Sequence, residues 1–189
     1  MAIPSDGSPS TSEPPPAAIE AFRKTIELEP GSAGNHHNLG IALREIGDLP
    51  GAIEACSRAI QLDPNFIDAH FGLGVTLFMS GEHEVAKKTL MKAIELQPDY
   101  ADGHYNLGLL LAITGDFQAS IEAYRKAIEL QPDHTEAYVG IGLAHSLKNN
   151  TDSLAAIEAF RKALDLNPDH SFARENLDRL LNNRKPRSP

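Results

Sequence analysis

Five prolines, Pro30, Pro64, Pro98, Pro132 and Pro168, close stretches of chain that share one pattern; the first four stand 34 residues apart and the last follows after 36. A self-similar period of that length restricts the chain to stacked supersecondary units, each too small to bury its own apolar face without a neighbour. The stretch from Ala101 to Pro132 shows the unit plainly. Tyr105, Leu107, Gly108 and Leu111 recur at helical spacing in a first half, and Ile121, Tyr124, Ala127, Ile128 and Leu130 in a second. Gly115-Asp116 breaks the chain between them, so each unit is expected to be a pair of antiparallel helices.

Small residues at fixed places say how the helices meet. Glycine inside a helix costs roughly 1 kcal/mol against alanine, yet Gly40, Gly74, Gly108 and Gly142 recur in the first halves. A second helix passing too close for a Cβ accounts for that recurrence. Ala59, Ala93, Ala127 and Ala163 recur in the second halves, as helices crossing at about 8 to 10 Å require.

The run Leu73-Gly74, Leu77, Gly81, Ala86, Leu90, Ala93, Pro98, repeated in its neighbours, resembles the tetratricopeptide repeat, and the likeness covers residues 18 to 181. The resemblance implies an all-α fold, a right-handed α-solenoid of antiparallel helix pairs. Its units are a half repeat at 18–32, full repeats at 33–66, 67–100, 101–134 and 135–170, and a C-terminal capping helix at 171–183. The half repeat is either a cap or what remains of a longer array. In three units an Asn or Asp after the proline is followed by an acid three residues on, as in Asn65 and Asp68, Asp99 and Asp102, and Asp133 and Glu136. That spacing predicts a helix N-cap with its reciprocal partner. LKNNTDS replaces a shorter turn in the last full repeat and carries its two additional residues.

Outside the array, residues 1–17 hold five prolines and several serines, too little apolar surface to offset ordering, and are expected to form a disordered arm. Residues 184–189 are expected to form a basic disordered tail with Arg184, Lys185 and Arg187. The net charge of -9 argues against nucleic-acid binding, which needs a basic footprint. The longest useful apolar run, Leu109 to Ile113, is far short of the roughly 20 residues of a membrane span. The N-terminus lacks the basic start and apolar core of a secretory signal, so the cytoplasm is the default compartment. Cys56 shares the slot of Leu90, Tyr124 and Phe160 and reads as a small core residue.

No catalytic constellation emerges. His36, His70 and His104 fall in one repeat slot, which in a stack sets them on the order of 10 Å or more apart, too far to share a zinc ion bound at about 2 Å. No HExxH motif, cysteine pair or phosphate-binding glycine loop occurs, and Glu54, Glu95, Glu122 and Glu158 recur as a solvated face. The chain is read as a non-enzyme without metal or cofactor.

The first helices carry the more specific signal. In arrays of the resembled family they line a concave groove that takes partner peptides. The resemblance assigns Asn38, Phe71, Val75, Phe78, Met79, Tyr105, Asn106, Leu109, Ile113, Val139 and Leu143 to that groove. Val75, Leu109 and Leu143 occupy one slot and Met79, Ile113 and Leu147 another, where family repeats are often polar. A contiguous apolar strip marks a binding site, unless the twist of the array buries it. Asn38, Asn106 and Asn176, with Gly72 and Gly140 between them, are similar to the backbone-holding asparagine row of O-linked N-acetylglucosamine transferases, with alternate rungs missing. The basic clamp of chaperone-binding members is absent, since His37, Ile41, Gly72, Asp102 and Asn106 stand at its places. The expected function is a scaffold or adaptor for a protein or peptide partner with an apolar stripe. Two alternatives stay open: a substrate-presenting arm of a larger enzyme such as a glycosyltransferase, and a self-assembling module forming a homo-oligomer.

Overall fold

The computed structural model describes residues 15–149 and 154–183, and among them every regular element is a helix. In chain order these are α1 (Pro15–Leu28), α2 (Ala33–Glu45), α3 (Leu49–Leu62), α4 (Ile67–Met79), α5 (His83–Leu96), α6 (Ala101–Ile113), α7 (Phe117–Leu130), α8 (Thr135–Asn149), α9 (Leu154–Leu166) and α10 (Ser171–Asn183). The fold class is the all-α solenoid of helix pairs. The expected basic tail, the first fourteen residues of the expected arm and most of the LKNNTDS turn lie outside the described residues. Two compact units, Met1–Ser80 and Gly81–Pro189, divide the chain.

In the first unit, α1 begins at Pro15 rather than Ala18, with Pro15 and Pro16 in the first turn, where a missing N–H costs nothing. Ile19 and Phe22 of α1 pack with Ala42 and Leu43 of α2 and with Ala52 and Ala55 of α3. The pair α2 and α3 meets at Gly40, where a Cβ would stand 2.5 Å from Cys56 Sγ. Cys56 is 1% exposed, and burial pushes its thiol up to about 11, so it packs and carries no thiolate at neutral pH.

The second unit repeats that design with a larger residue in the same slot. Tyr124 of α7 lies against two glycines at once: a Cβ on Gly108 of α6 would stand 2.7 Å from the ring, and one on Gly140 of α8 2.5 Å. Phe160 of α9 meets Gly142 of α8 in the same way, at 2.8 Å. Ala127 and Ala163 have no exposed surface. Ser120 stands where other copies have Ala86 and Ala156, and its hydroxyl donates across the pair to the Gly108 carbonyl at 2.8 Å. That bond satisfies a buried hydroxyl at the crossing of α6 and α7.

Turn chemistry follows the repeat. Gly47, Gly81 and Gly115 adopt φ of 82°, 85° and 86°, a region that side chains rarely tolerate, and each ends a first-type helix. Asp48 and Asp116 then cap α3 and α7, accepting from the N–H of Gly51 at 3.0 Å and of Ala119 at 3.2 Å.

The first-type helices start differently from expectation, one residue later. Asn65 and Asp99 are not N-caps; Phe66 and Tyr100 hold that position without a side-chain bond. The cause is a turn in which the N–H of Phe66, Tyr100, His134 and His170 donates to the carbonyl three residues back, placing the Asn or Asp inside the turn. His134 and His170 then cap α8 and α10, with Nδ1 accepting from Ala137 N–H at 3.3 Å and from Ala173 N–H at 3.2 Å. A second set of histidines holds the closing prolines: Nε2–H of His36, His70 and His104 donates to the carbonyl of Pro30, Pro64 and Pro98 at 3.3, 2.9 and 3.0 Å. Arg174 donates to the Pro168 carbonyl in the same slot. The periodic histidines thus hold the turns.

Burial of the histidine that caps α8 is expected to make stability pH-dependent. Burial lowers the His134 pKa below its ordinary 6.5, outweighing the acids Asp102, Glu136 and Asp133, which act to raise it. Burial, aided by Arg125 and Lys148, also lowers that of His145. The unfolded chain then binds these protons more readily, so the contribution of these two histidines to stability is fully present above 6.5 and is lost as pH drops below it. The urea midpoint is expected to fall between about pH 7.5 and 5.5. His134→Asn, which keeps a good N-cap, should flatten part of that slope; an unchanged slope in the variant would show that His134 does not drive it.

Candidate partner-binding surface

The groove assignment divides when burial is read residue by residue. In the first unit, Asn38 on α2 and Met79 on α4 are exposed, Phe78 is half-buried, and Phe71 and Val75 are buried. In the second, Ile113 is exposed, Asn106, Leu109 and Leu143 are half-buried, and Tyr105 and Val139 are buried. Phe71, Val75, Tyr105 and Val139 are therefore core residues, a correction to their assignment as groove surface. The second unit shows the reason. Side chains two places before the packing pair turn onto the next first-type helix: Tyr105 clusters with Ala137 and Ile141 of α8, and Val139 with Ala173 and Leu180 of α10.

What remains in the second unit is a compact apolar face. Ile113 and Leu147 hold the same slot near the ends of the neighbouring helices α6 and α8 and are 57% and 59% exposed. Leu109 and Leu143 connect them to the interior, Leu109 against the Tyr105 and Tyr124 cluster and Leu143 against the Val139 and Phe160 cluster.

Two members of the asparagine row bond within their own helices. Asn106 Nδ2–H donates to the Asp102 carbonyl at 2.9 Å and Asn176 Nδ2–H to the Phe172 carbonyl at 2.8 Å, each within its own helix. Asn176 is also buried and accepts from Arg179 at 2.8 Å. The missing rung at Gly140 has a packing cause, since the Tyr124 ring occupies the space of a Cβ.

The opposite end of these helices is acidic. Asp102 and Glu136 both act on Tyr105, whose phenol burial and these two charges push up to about 12, and both act on His134, whose ring stands 4.6 Å from that of Tyr105. Glu136 Oε1 also accepts from His170 Nε2–H at 3.0 Å. The spacing of these acids after the prolines matches that of cap partners, whereas Asp102 and Glu136 act together on Tyr105 and His134. The signal available was the slot itself, which repeats an acid as Asp68, Asp102 and Glu136. Among the described residues no group of three or more His, Cys, Asp or Glu could hold a metal ion, and no helix is long and apolar enough to cross a membrane.

Comparison with known proteins agrees with this architecture. Models of the TPR repeat match residues 40–81 and 76–115, and models of the tetratricopeptide repeat match 101–134 and 135–170. A crystal structure of MamA is 35% identical, covering 80% of this chain and 88% of that one with a TM-score of 0.74. MamA from Desulfovibrio magneticus RS-1 (residues 41 to the end) is 24% identical over 83% of this chain and 88% of that one, also at 0.74. The Cut9-Hcn1 hetero-tetramer of the APC/C is 22% identical, covering 88% of this chain and 33% of that one at 0.77. The last two likenesses concern the fold alone. No curated protein is significantly similar in sequence.

Proposed function

Because this chain belongs to the tetratricopeptide repeat family, we propose that it is a non-enzymatic interaction scaffold that takes a partner helix or peptide on its first-type helices, with the α6 and α8 face of the second unit as the contact. The observation that carries this reading is the exposure of Ile113 and Leu147 at one slot on adjacent helices. An isolated surface aliphatic residue calls for no explanation, whereas Ile113 and Leu147 in register over half-buried Leu109 and Leu143 form a patch of the sort that marks an interaction site. The buried residues beneath hold the patch in place and do not themselves contact the partner.

Ile113→Glu/Leu147→Glu is expected to remove the partner from native pull-downs, read by quantitative mass spectrometry, with thermal unfolding shifted little. Substitutions at exposed sites usually change stability by about 0.5 kcal/mol or less. The same proteins captured by both chains, with the variant folded, would place the interaction elsewhere.

A further inference from the structure

The second-type helices α1, α3, α5, α7 and α9 align without a gap, so four copies show what the scaffold needs in each slot and a fifth can be read against them. α5 is the copy that departs. The slot of Glu20, Glu54, Glu122 and Glu158 holds Lys88, and all five side chains are exposed. Three residues before it Val85, 49% exposed, replaces the small Ala17, Gly51, Ala119 and Ala155. Three residues after it Met91, 51% exposed, stands where the other copies have Arg or Ser. Residues three apart are neighbours on a helix, so Val85, Lys88 and Met91 form one outward row about 9 Å long. We propose that this row on α5, apart from the α6 and α8 face, docks an acidic segment of a partner protein in which apolar side chains flank a carboxylate.

The charge of the occupant follows from what the reversal does to α5 itself. In the other copies the glutamate stands four residues before Lys24, Arg58, Lys126 or Lys162, the favourable order for such a pair on a helix. In α5 Lys88 stands four before Lys92, a like-charged spacing that works against the helix. Glu95 is already bonded to Lys92 at 3.0 Å. Among the described residues neither Lys87 nor Lys88 has an ion-pair partner. Lys87 is half-buried in the slot where Ile121 and Ile157 are 1% and 2% exposed, and a lysine so placed keeps its ammonium in water beside the row. α5 thus carries three lysines against Glu84 and Glu95 on a chain of net charge -9, whereas α1, α7 and α9 each carry two cations and two acids. A carboxylate from outside relieves the repulsion at Lys88, and Val85 and Met91 give its apolar neighbours a contact on either side. A short segment meets only this row, while a broad anionic lipid surface would face the acidic chain as a whole.

The test follows the amide NMR spectrum of the full chain during titration with three synthetic peptides that share two leucines and carry Glu, Gln or Lys between them. At about 50 mM salt the Glu peptide is expected to shift α5 resonances and to bind about threefold or more tightly than the Gln peptide, an advantage that shrinks at about 300 mM. Lys88→Glu should remove that advantage, and Val85→Ala/Met91→Ser should weaken the Glu and Gln peptides alike. Both variants restore residues that other copies carry in the same slots, so the fold accommodates them. Arg161→Glu on α9 makes the same change of net charge at another exposed site and should leave the Glu peptide unchanged. Equal affinities of the three peptides overturn the acidic class. A loss as large in Arg161→Glu as in Lys88→Glu overturns the site in favour of general attraction. Shifts confined to α6 and α8, and lost in Ile113→Glu/Leu147→Glu, overturn it in favour of the first-type helices. Lys88-dependent binding to phosphatidylserine vesicles with no peptide binding overturns the peptide in favour of a lipid surface, and no binding of either overturns the proposal outright.

Discussion

Gly140→Val is expected to destabilise the second unit by about 3 kcal/mol or more, and Gly108→Val by a similar amount, measured as a fall in urea midpoint at unchanged slope. Even a first Cβ on Gly140 would stand 2.5 Å from Tyr124 Cζ, and one on Gly108 2.7 Å from Cδ1 and Cε1 of the same ring. The ring cannot yield by swinging out, because Tyr124 is 1% exposed and Tyr105 stands 5.8 Å away across the cluster. The helices must separate instead, which opens both crossings that Tyr124 fills. Gly34→Ala supplies the contrast. No atom lies within 4 Å of a Cβ there, so the higher helix propensity of alanine should make that variant more stable by up to about 1 kcal/mol. A Gly140→Val protein as stable as the wild type would show that the close approach of α7 and α8 is not required.

Tyr124→Ala is expected to cost about 3 to 5 kcal/mol, at the upper end for a buried aromatic, whereas Cys56→Ala in the equivalent slot of the first unit should cost much less. The difference is one of volume. Tyr124 fills the space between α6 and α8, with Gly108 on one side and Gly140 on the other. Cys56 touches Gly40 closely, but a Cβ on Gly72 would be 3.6 Å from its sulfur and 3.4 Å from His37 Cε1, so a histidine shares the filling. A double-mutant cycle separates this from a simple cavity effect. With Tyr124 truncated, Gly108→Ala and Gly140→Ala lose their clash and should turn from unfavourable to favourable, a coupling of the size seen between contacting residues, about 1 to 3 kcal/mol. Additive losses would mean that the ring and the glycines are not in contact.

The repeat period, the helix pairs and the small residues at the crossings were legible in the chain because each is a local or periodic property. Gly40, Gly108 and Gly142 had to be glycine for one reason, and four copies of the pattern displayed it. The capping residues were less legible. An Asn or Asp after proline suits both an N-cap and the turn before one, and the bond from Phe66 N–H to the Asp63 carbonyl decided for the turn.

The sequence by itself thus determined the all-α architecture, the pairing of α2 with α3, α6 with α7 and α8 with α9, and the apolar character of the strip along the first helices. Only the tertiary structure decided which part of that strip faces outward. Tyr105 and Leu109 lie one helical turn apart on the same side of α6, and hydrophobicity alone treats them alike. Packing against the next first-type helix takes Tyr105 into the core and leaves Leu109 half-open, because burial depends on where the neighbouring helix passes, and that is a relation between units which no single period of the pattern contains.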